Sequence, residues 1–210
     1  MLLETFPVGW LGCNCSILAC ETTKEAIVID PGGDSEKILE IIHHYELKVT
    51  HLLHTHAHLD HIGATRILKE KTGALIYLHS GDEKLYFLLK TQGRLFGAEM
   101  EDPLPIDHFL EDGQQITFGN ENTLTIHTPG HTAGSCCFRA TSEKKEILFS
   151  GDTLFKKGVG RTDLWGVSHE CLIHSIRTKL LTLPDDFKVV PGHGPSTTIG
   201  EERRSNPYLR

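Results

Sequence analysis

Apolar positions along this chain recur with two periods, a continuous or alternating one and a helical one. Short apolar runs at 17–20 and 26–29 flank the polar turn 21–24 and predict two strands. Asp30-Pro31-Gly32-Gly33 then breaks the sheet. Asp34 stands at the cap position of a helix whose apolar face is Ile38, Leu39, Ile41 and Ile42, with His43 and His44 as exposed cations of its last turn. The run 49–55 predicts a buried strand, and 60–64 leads into a helix through Ile67 and Leu68. A strand over 74–78 follows, then a helix from Gly81 to about Leu95 with Leu85, Leu88 and Leu89 on one side. Residues 99–110, with Pro103 and Pro105, read as a connecting loop. Beyond it the pattern predicts strands over 115–118, 124–127, 136–140 and 147–150, with turns at 119–120 and 142–145. A helix over 168–181, a strand over 187–190 and a short helix over 200–205 complete the chain. Strands followed by helices, twice over, predict an α/β fold of two face-to-face sheets with helices outside.

Composition narrows this only a little. At 210 residues, 39% hydrophobic and 23% charged, the chain has the makeup of an ordinary globule and the length of one domain spanning 1–210. A net charge of −7 argues against nucleic acid as partner, and no apolar run is long enough to span a membrane. Glu4 sits where a signal peptide wants a basic residue, so the expectation is a cytoplasmic protein. The six cysteines do not form a disulfide framework. Cys13, Cys15, Cys136 and Cys137 fall in strand-like stretches and read as buried thiols.

The candidate chemistry lies at strand ends. Residues 55–61 read T-H-A-H-L-D-H, so His56, His58, Asp60 and His61 offer four potential metal ligands within six positions. Three later stretches supply partners, each just after an apolar run. His131 sits in the Pro-Gly turn of T-P-G-H-T-A-G-S, Asp152 in S-G-D-T-L-F, and His193 in V-P-G-H-G. A carboxylate directly after an apolar strand is costly unless it is paired or binds cations, which singles out Asp152. His51 and His54, on the strand before the cluster, read as packing residues; His79, His108, His127, His169 and His174 match no motif and stay unassigned.

These four motifs together resemble the metallo-β-lactamase superfamily, and within it the glyoxalase II-like hydrolases. The resemblance spans about 13–209 and includes the ending G-x-E-R-x-x-N-P-x-L at 200–209. It implies a four-layer αββα sandwich with two divalent metal ions, zinc first among them, at one edge of the sheets. By motif position, His56, His58 and His131 would hold one ion, Asp60, His61 and His193 the other, and Asp152 would bridge them. Two adjacent cations produce hydroxide near neutral pH and polarise a carbonyl. A thioester suits that chemistry, since a thiolate leaves without a strong general acid. The implied activity is hydrolysis of S-D-lactoylglutathione to D-lactate and glutathione, with Asp60 also orienting the hydroxide as a catalytic residue.

Recognition of glutathione is where this chain departs from the pattern. Arg161, in the basic loop K-K-G-V-G-R-T-D at 156–163, occupies the position of a glutathione-binding basic residue and is the candidate substrate contact. The tyrosines of longer glyoxalase II enzymes are replaced by Asp163 and Pro195, and the expectation is a short form without their C-terminal helical domain. The expectation is therefore a short-form thioesterase with an open site, with Arg203 and Arg204 on a surface helix. Rival readings are a persulfide dioxygenase, sharing G-R-T-D at 160–163 and using one iron on His56, His131 and Asp152, and a lactonase. A β-lactamase, a metal-storing or partner-binding module and the oxygen-reducing half of a flavoprotein rank below these.

Overall fold

Strands that are apolar on both faces must be covered on both faces, and that dictates the layering here. The computed structural model describes residues 1–142, 145–164 and 168–210; the turn expected over 142–145 includes 143 and 144, which lie outside the described residues. The first half runs β1 (Leu2–Val8), β2 (Cys13–Ala19), β3 (Glu25–Ile29), α1 (Ser35–His44), β4 (Lys48–Leu53), α2 (Leu59–Ile62), α3 (Thr65–Thr72), β5 (Leu75–His79), α4 (Glu83–Phe87), α5 (Leu89–Phe96) and β6 (His108–Leu110). Its six strands form one sheet in sequence order, antiparallel from β1 to β3 and parallel from β3 to β6.

The second half runs β7 (Gln115–Phe118), β8 (Glu121–His127), β9 (Cys136–Ser142), β10 (Lys145–Gly151), the small hairpin β11 (Leu154–Phe155) and β12 (Gly158–Val159), α6 (His169–Ser175), β13 (Lys188–Pro191), β14 (Thr197–Thr198) and α7 (Ile199–Ser205). Its sheet has the order β14-β13-β10-β9-β8-β7, with β10 and β13 parallel. No helix among the described residues is long and apolar enough to cross a membrane.

Successive residues of one strand enter different cores. Ile17, Val28 and Leu52 face α1 to α5, whereas Leu18, Ile27, Ile29 and Leu53 face the opposite sheet. In the second sheet Phe138 and Phe149 meet that central layer, while Cys137, Leu148 and Val189 pack under α6 and α7 with Leu172, Ile176 and Ile199. Three apolar layers between four layers of secondary structure make an αββα sandwich, each fully buried large side chain contributing about 1.5–3 kcal/mol. Cys13, Cys15, Cys136 and Cys137 are buried free thiols, as their strand positions predict.

Several local expectations change. β1 and β6 are strands the sequence pattern did not reveal. β1 is an edge strand carrying Pro7, and β6 is three residues paired to β5, so both depend on a tertiary neighbour. The helix expected from Gly81 is a 3₁₀ turn over Ser80–Asp82, then α4 and α5, parted at Leu88. Asp34 does precede α1 but does not cap it: its φ is +46°, and its carboxylate accepts from Gly9 N at 2.9 Å. The helix expected over 168–181 is α6, N-capped by Ser168, followed by a π turn over Ile176–Leu180.

Candidate metal centre

Every predicted ligand leaves the same edge of the two sheets. His56 and His58 lie in the segment between β4 and α2, and Asp60 and His61 are on α2 itself. His131 is carried by the loop joining β8 to β9. Asp152 and His193 follow the parallel neighbours β10 and β13, which delivers them side by side. The approach is close enough to exclude a side chain at Gly192, where a Cβ would sit 2.2 Å from Asp152 Oδ1 and 2.8 Å from His61 Cε1. Asn14 on β2 pins this corner across the sheets, its backbone N–H donating to Gly192 O (2.7 Å) and its side chain to Pro191 O and Gly194 O.

The side chains form two groups joined by one carboxylate. In the first, His131 Nε2 lies 3.2 Å from His56 Nε2 and 2.9 Å from His58 Nδ1. In the second, Asp60 Oδ2 lies 3.1 Å from His193 Nε2 and 3.7 Å from His61 Nε2. Asp152 reaches both: Oδ2 is 3.6 Å from His131 Nε2, and Oδ1 is 3.5 Å from His61 Nε2 and 3.8 Å from His193 Nε2. His56, His58, His61 and His131 are buried, while Asp60, Asp152 and His193 edge the opening.

The electrostatics of this cluster call for cations. Burial, then the neighbouring imidazoles, hold His56 well below the usual histidine range and His58 down to about 3, so both are neutral donors. Burial works against the Asp152 carboxylate, yet the imidazoles of His61, His131 and His193 outweigh it and keep the group ionised. His61 Nε2 and Asp152 Oδ1 are buried without hydrogen-bond partners, a state that costs about 1–3 kcal/mol per group. Neutral imidazoles and carboxylates converging within 4.8 Å are a donor set that suits a metal site in either group.

Further polar groups fix the ligands in place. His61 Nδ1–H donates to Asp30 Oδ2 at 3.0 Å, which leaves Nε2 for a cation. His56 Nδ1–H donates to Thr55 Oγ1 (3.0 Å), whose hydroxyl donates to Asp30 Oδ2 (2.7 Å), while Thr55 N–H donates to Asp30 Oδ1 (2.7 Å). His131 Nδ1–H donates to the backbone carbonyl of Arg161 at 2.8 Å. Cys13 Sγ stands 3.4 Å from His61 Nδ1; burial pushes its thiol up to about 12, so it stays protonated.

Sequence and structure of this kind have relatives. The profile of the metallo-β-lactamase superfamily matches residues 8–193. The chain belongs to this superfamily. Hydroxyacylglutathione hydrolase GloC of Haemophilus influenzae is 41% identical over 211 residues, covering 100% of this chain and 98% of that protein. Among solved structures, BLEG-1 B3 metallo-beta-lactamase superposes with a TM-score of 0.90 at 38% identity, covering 99% of each chain. TTHA1623 in a di-iron-bound form gives 0.87 at 37% identity, covering 98% of this chain and 100% of that one.

Within this superfamily fold, the seven predicted ligands all meet at one place. Arg161 lies beside them differently from the sequence expectation. Its exposed guanidinium donates to both oxygens of Asp163, at 2.7 and 2.8 Å, and it is the backbone carbonyl that reaches the site. His54 is a packing residue, bonded at Nδ1 to Tyr77 O and at Nε2 to Thr65 Oγ1. Arg203 donates to Leu181 O and Leu183 O on the surface, and Arg204 pairs with Asp185.

Three residues went unnoticed in the sequence. Asp30 read as a sheet breaker, yet a carboxylate after the apolar run 26–29 carries the same signal as Asp152 after its strand. Asp82 Oδ1 accepts from Gly134 N, and Oδ2 from Ala57 N and Thr132 Oγ1, tying the His58 and His131 loops together. Gln92 accepts from Leu59 N and donates to Ala57 O and Leu85 O. No sequence pattern marks Asp82 or Gln92, since their partners come from distant segments.

Proposed function

We propose that this chain is a metal-dependent thioester hydrolase that cleaves S-acylglutathione-type substrates, S-D-lactoylglutathione among them, using two divalent cations, most readily zinc. The observation that carries this reading is Asp152, whose two oxygens address the two ligand groups separately. His56, His58 and His131 would hold one cation, Asp60, His61 and His193 the other, and Asp152 both. Bound there, such cations lower the pKa of a water and polarise an ester carbonyl. Asp60 edges the opening and orients the attacking water through its carboxylate. The buried imidazoles, locked by Asp30, Thr55 and the Arg161 carbonyl, keep the site from rearranging as charge develops. A thiolate leaving group, with a thiol pKa near 8.5, departs without a protonated acid in the site. The 41% identity to a hydroxyacylglutathione hydrolase supports the substrate class.

The di-iron neighbour favours iron as an alternative occupant. A second reading, a single-iron persulfide dioxygenase, would draw on His56, His131 and Asp152 alone. Metal content per chain, thioester loss with S-D-lactoylglutathione and oxygen uptake with glutathione persulfide separate the two. The hydrolase reading predicts two ions, thioester loss and no oxygen uptake. One iron with oxygen uptake and an intact thioester would overturn it, as would turnover confined to a lactone or a β-lactam.

A further inference from the structure

A cleft of about 190 Å³ opens directly beside His58 and His131, between α4 and the loop carrying His131. Its walls are Leu85, Leu88, Ala133 and Leu164, and Lys84 stands exposed at its rim. Apart from the Lys84 ammonium at the rim, the polar groups of Gly81, Asp82, Thr132 and Ala133 that line it have protein partners. Thr132 Oγ1 donates to Asp82 Oδ2 and also contacts Ser135 Oγ at 2.7 Å. Both oxygens of Asp82 are filled by Ala57 N, Gly134 N and that hydroxyl. Gly81 N donates to His79 Nδ1, and Ala133 O accepts from His127 Nε2. The wall is therefore apolar in effect as well as in composition, and it ends at two of the side chains grouped around the reacting position.

Resting on the thioesterase reading, we propose that this cleft is the acyl subsite, built for an apolar, unhydroxylated acyl chain rather than for a 2-hydroxyacyl group. Size and charge decide which arm of the thioester enters. A tripeptide thiol carries two carboxylates, and with Lys84 out at the rim the apolar walls would leave at least one of them unpaired inside the cleft, at a desolvation cost. A short hydrocarbon chain gives up water on both sides and loses nothing polar. A 2-hydroxyl would enter a cleft whose neighbouring donors and acceptors already have partners. Each methylene buried raises kcat/KM by about fourfold until the cleft is full.

The test uses the metal-loaded protein and two probes that cannot be hydrolysed, S-methylglutathione and S-hexylglutathione, with binding read by calorimetry. S-Hexylglutathione binds at least about tenfold tighter, and Leu88→Gln removes most of that difference. Leu88 is 47% exposed, so this variant keeps its fold. Phe87→Gln, the neighbouring residue at the end of α4 but outside the cleft wall, leaves the difference in place. In turnover, S-hexanoylglutathione exceeds S-acetylglutathione in kcat/KM, and the advantage of S-propionyl- over S-D-lactoylglutathione shrinks in Leu88→Gln. Equal affinity for the two probes, or a preference that survives Leu88→Gln, overturns the acyl subsite. A hexyl preference lost in Leu88→Gln without hydrolysis of any thioester leaves the subsite standing and removes the thioesterase reading. Hydrolysis with no preference for chain length does the reverse.

Discussion

Replacing Asp30 with asparagine should silence one half of the metal centre and spare the other. The carboxylate is buried and accepts three hydrogen bonds: Thr55 N at Oδ1, and Thr55 Oγ1 and His61 Nδ1 at Oδ2. In Asp30→Asn the amide oxygen keeps the Thr55 N–H, which places the NH₂ where Oδ2 was. One of its hydrogens then points at Thr55 Oγ1, which accepts it while still accepting from His56 Nδ1–H, and the Thr55 hydroxyl proton loses its Asp30 acceptor. The other points at His61 Nδ1, which must become the acceptor. The His61 proton moves to Nε2, the nitrogen facing Asp60 and Asp152, and blocks it as a ligand.

Shape and volume are unchanged, but charge-assisted bonds become neutral ones and the Thr55 hydroxyl loses its acceptor, so the fold loses about 2–4 kcal/mol. The group of Asp60, His61 and His193 should lose about 10–100-fold in cation affinity, or roughly 1.4–2.7 kcal/mol. The assay is titration of chelator-stripped protein with zinc against a chromophoric competitor. Wild type takes up two tight equivalents, and Asp30→Asn takes up one tight and one weakened. Two unaltered equivalents, or two equally weakened, would refute the tautomer argument.

Three further outcomes follow from the same geometry. Asp152→Ala removes the one carboxylate shared by both groups, so bound metal and turnover fall together by atomic absorption and thioester assay; normal turnover would refute the bridging role. Asp82→Ala leaves Ala57 N and Gly134 N without their acceptor, and urea unfolding should show a loss of roughly 2–5 kcal/mol; a loss under about 1 kcal/mol would mean that water replaces the carboxylate. Burial and the stacked His127 ring lower His79 to about 4, against about 6.5 unfolded, so the unfolded chain binds the extra proton. The His79 contribution is therefore full above about pH 6.5 and lost as pH falls to about 4, and equal slopes for wild type and His79→Asn over that window would refute it.

The candidate ligands were legible in the sequence because each follows an apolar run, His131 and His193 in Pro-Gly turns and Asp152 directly after its strand. The two-sheet layering was legible for a related reason: runs such as 17–20 and 26–29 are apolar at every position, and only coverage on both faces tolerates that. What escaped depends on distant partners. β6 is a strand because β5 lies beside it, and Asp82 matters because residues 57 and 134 converge on it. Arg161 shows the opposite failure. The sequence offered a free guanidinium, and the fold pairs it with a carboxylate two residues away while using its backbone carbonyl instead.

Charge gives the strongest reason to regard the centre as built for more than one cation. Four carboxylates, Asp30, Asp60, Asp82 and Asp152, lie in or directly behind the ligand groups, each buried or nearly so. The imidazoles of His56 and His58 are neutral and offset none of that charge, while the carboxylates raise His61 and His193, whose protons stand where a cation would bind. The oxygens of Asp30 and Asp82 are wholly engaged in holding strand-end loops. Buried carboxylates in this number are otherwise among the most expensive features a small domain can carry. Two divalent cations would match them charge for charge. One cation on His56, His58 and His131 would leave His61 Nε2 and Asp152 Oδ1, both buried, without a hydrogen-bond partner.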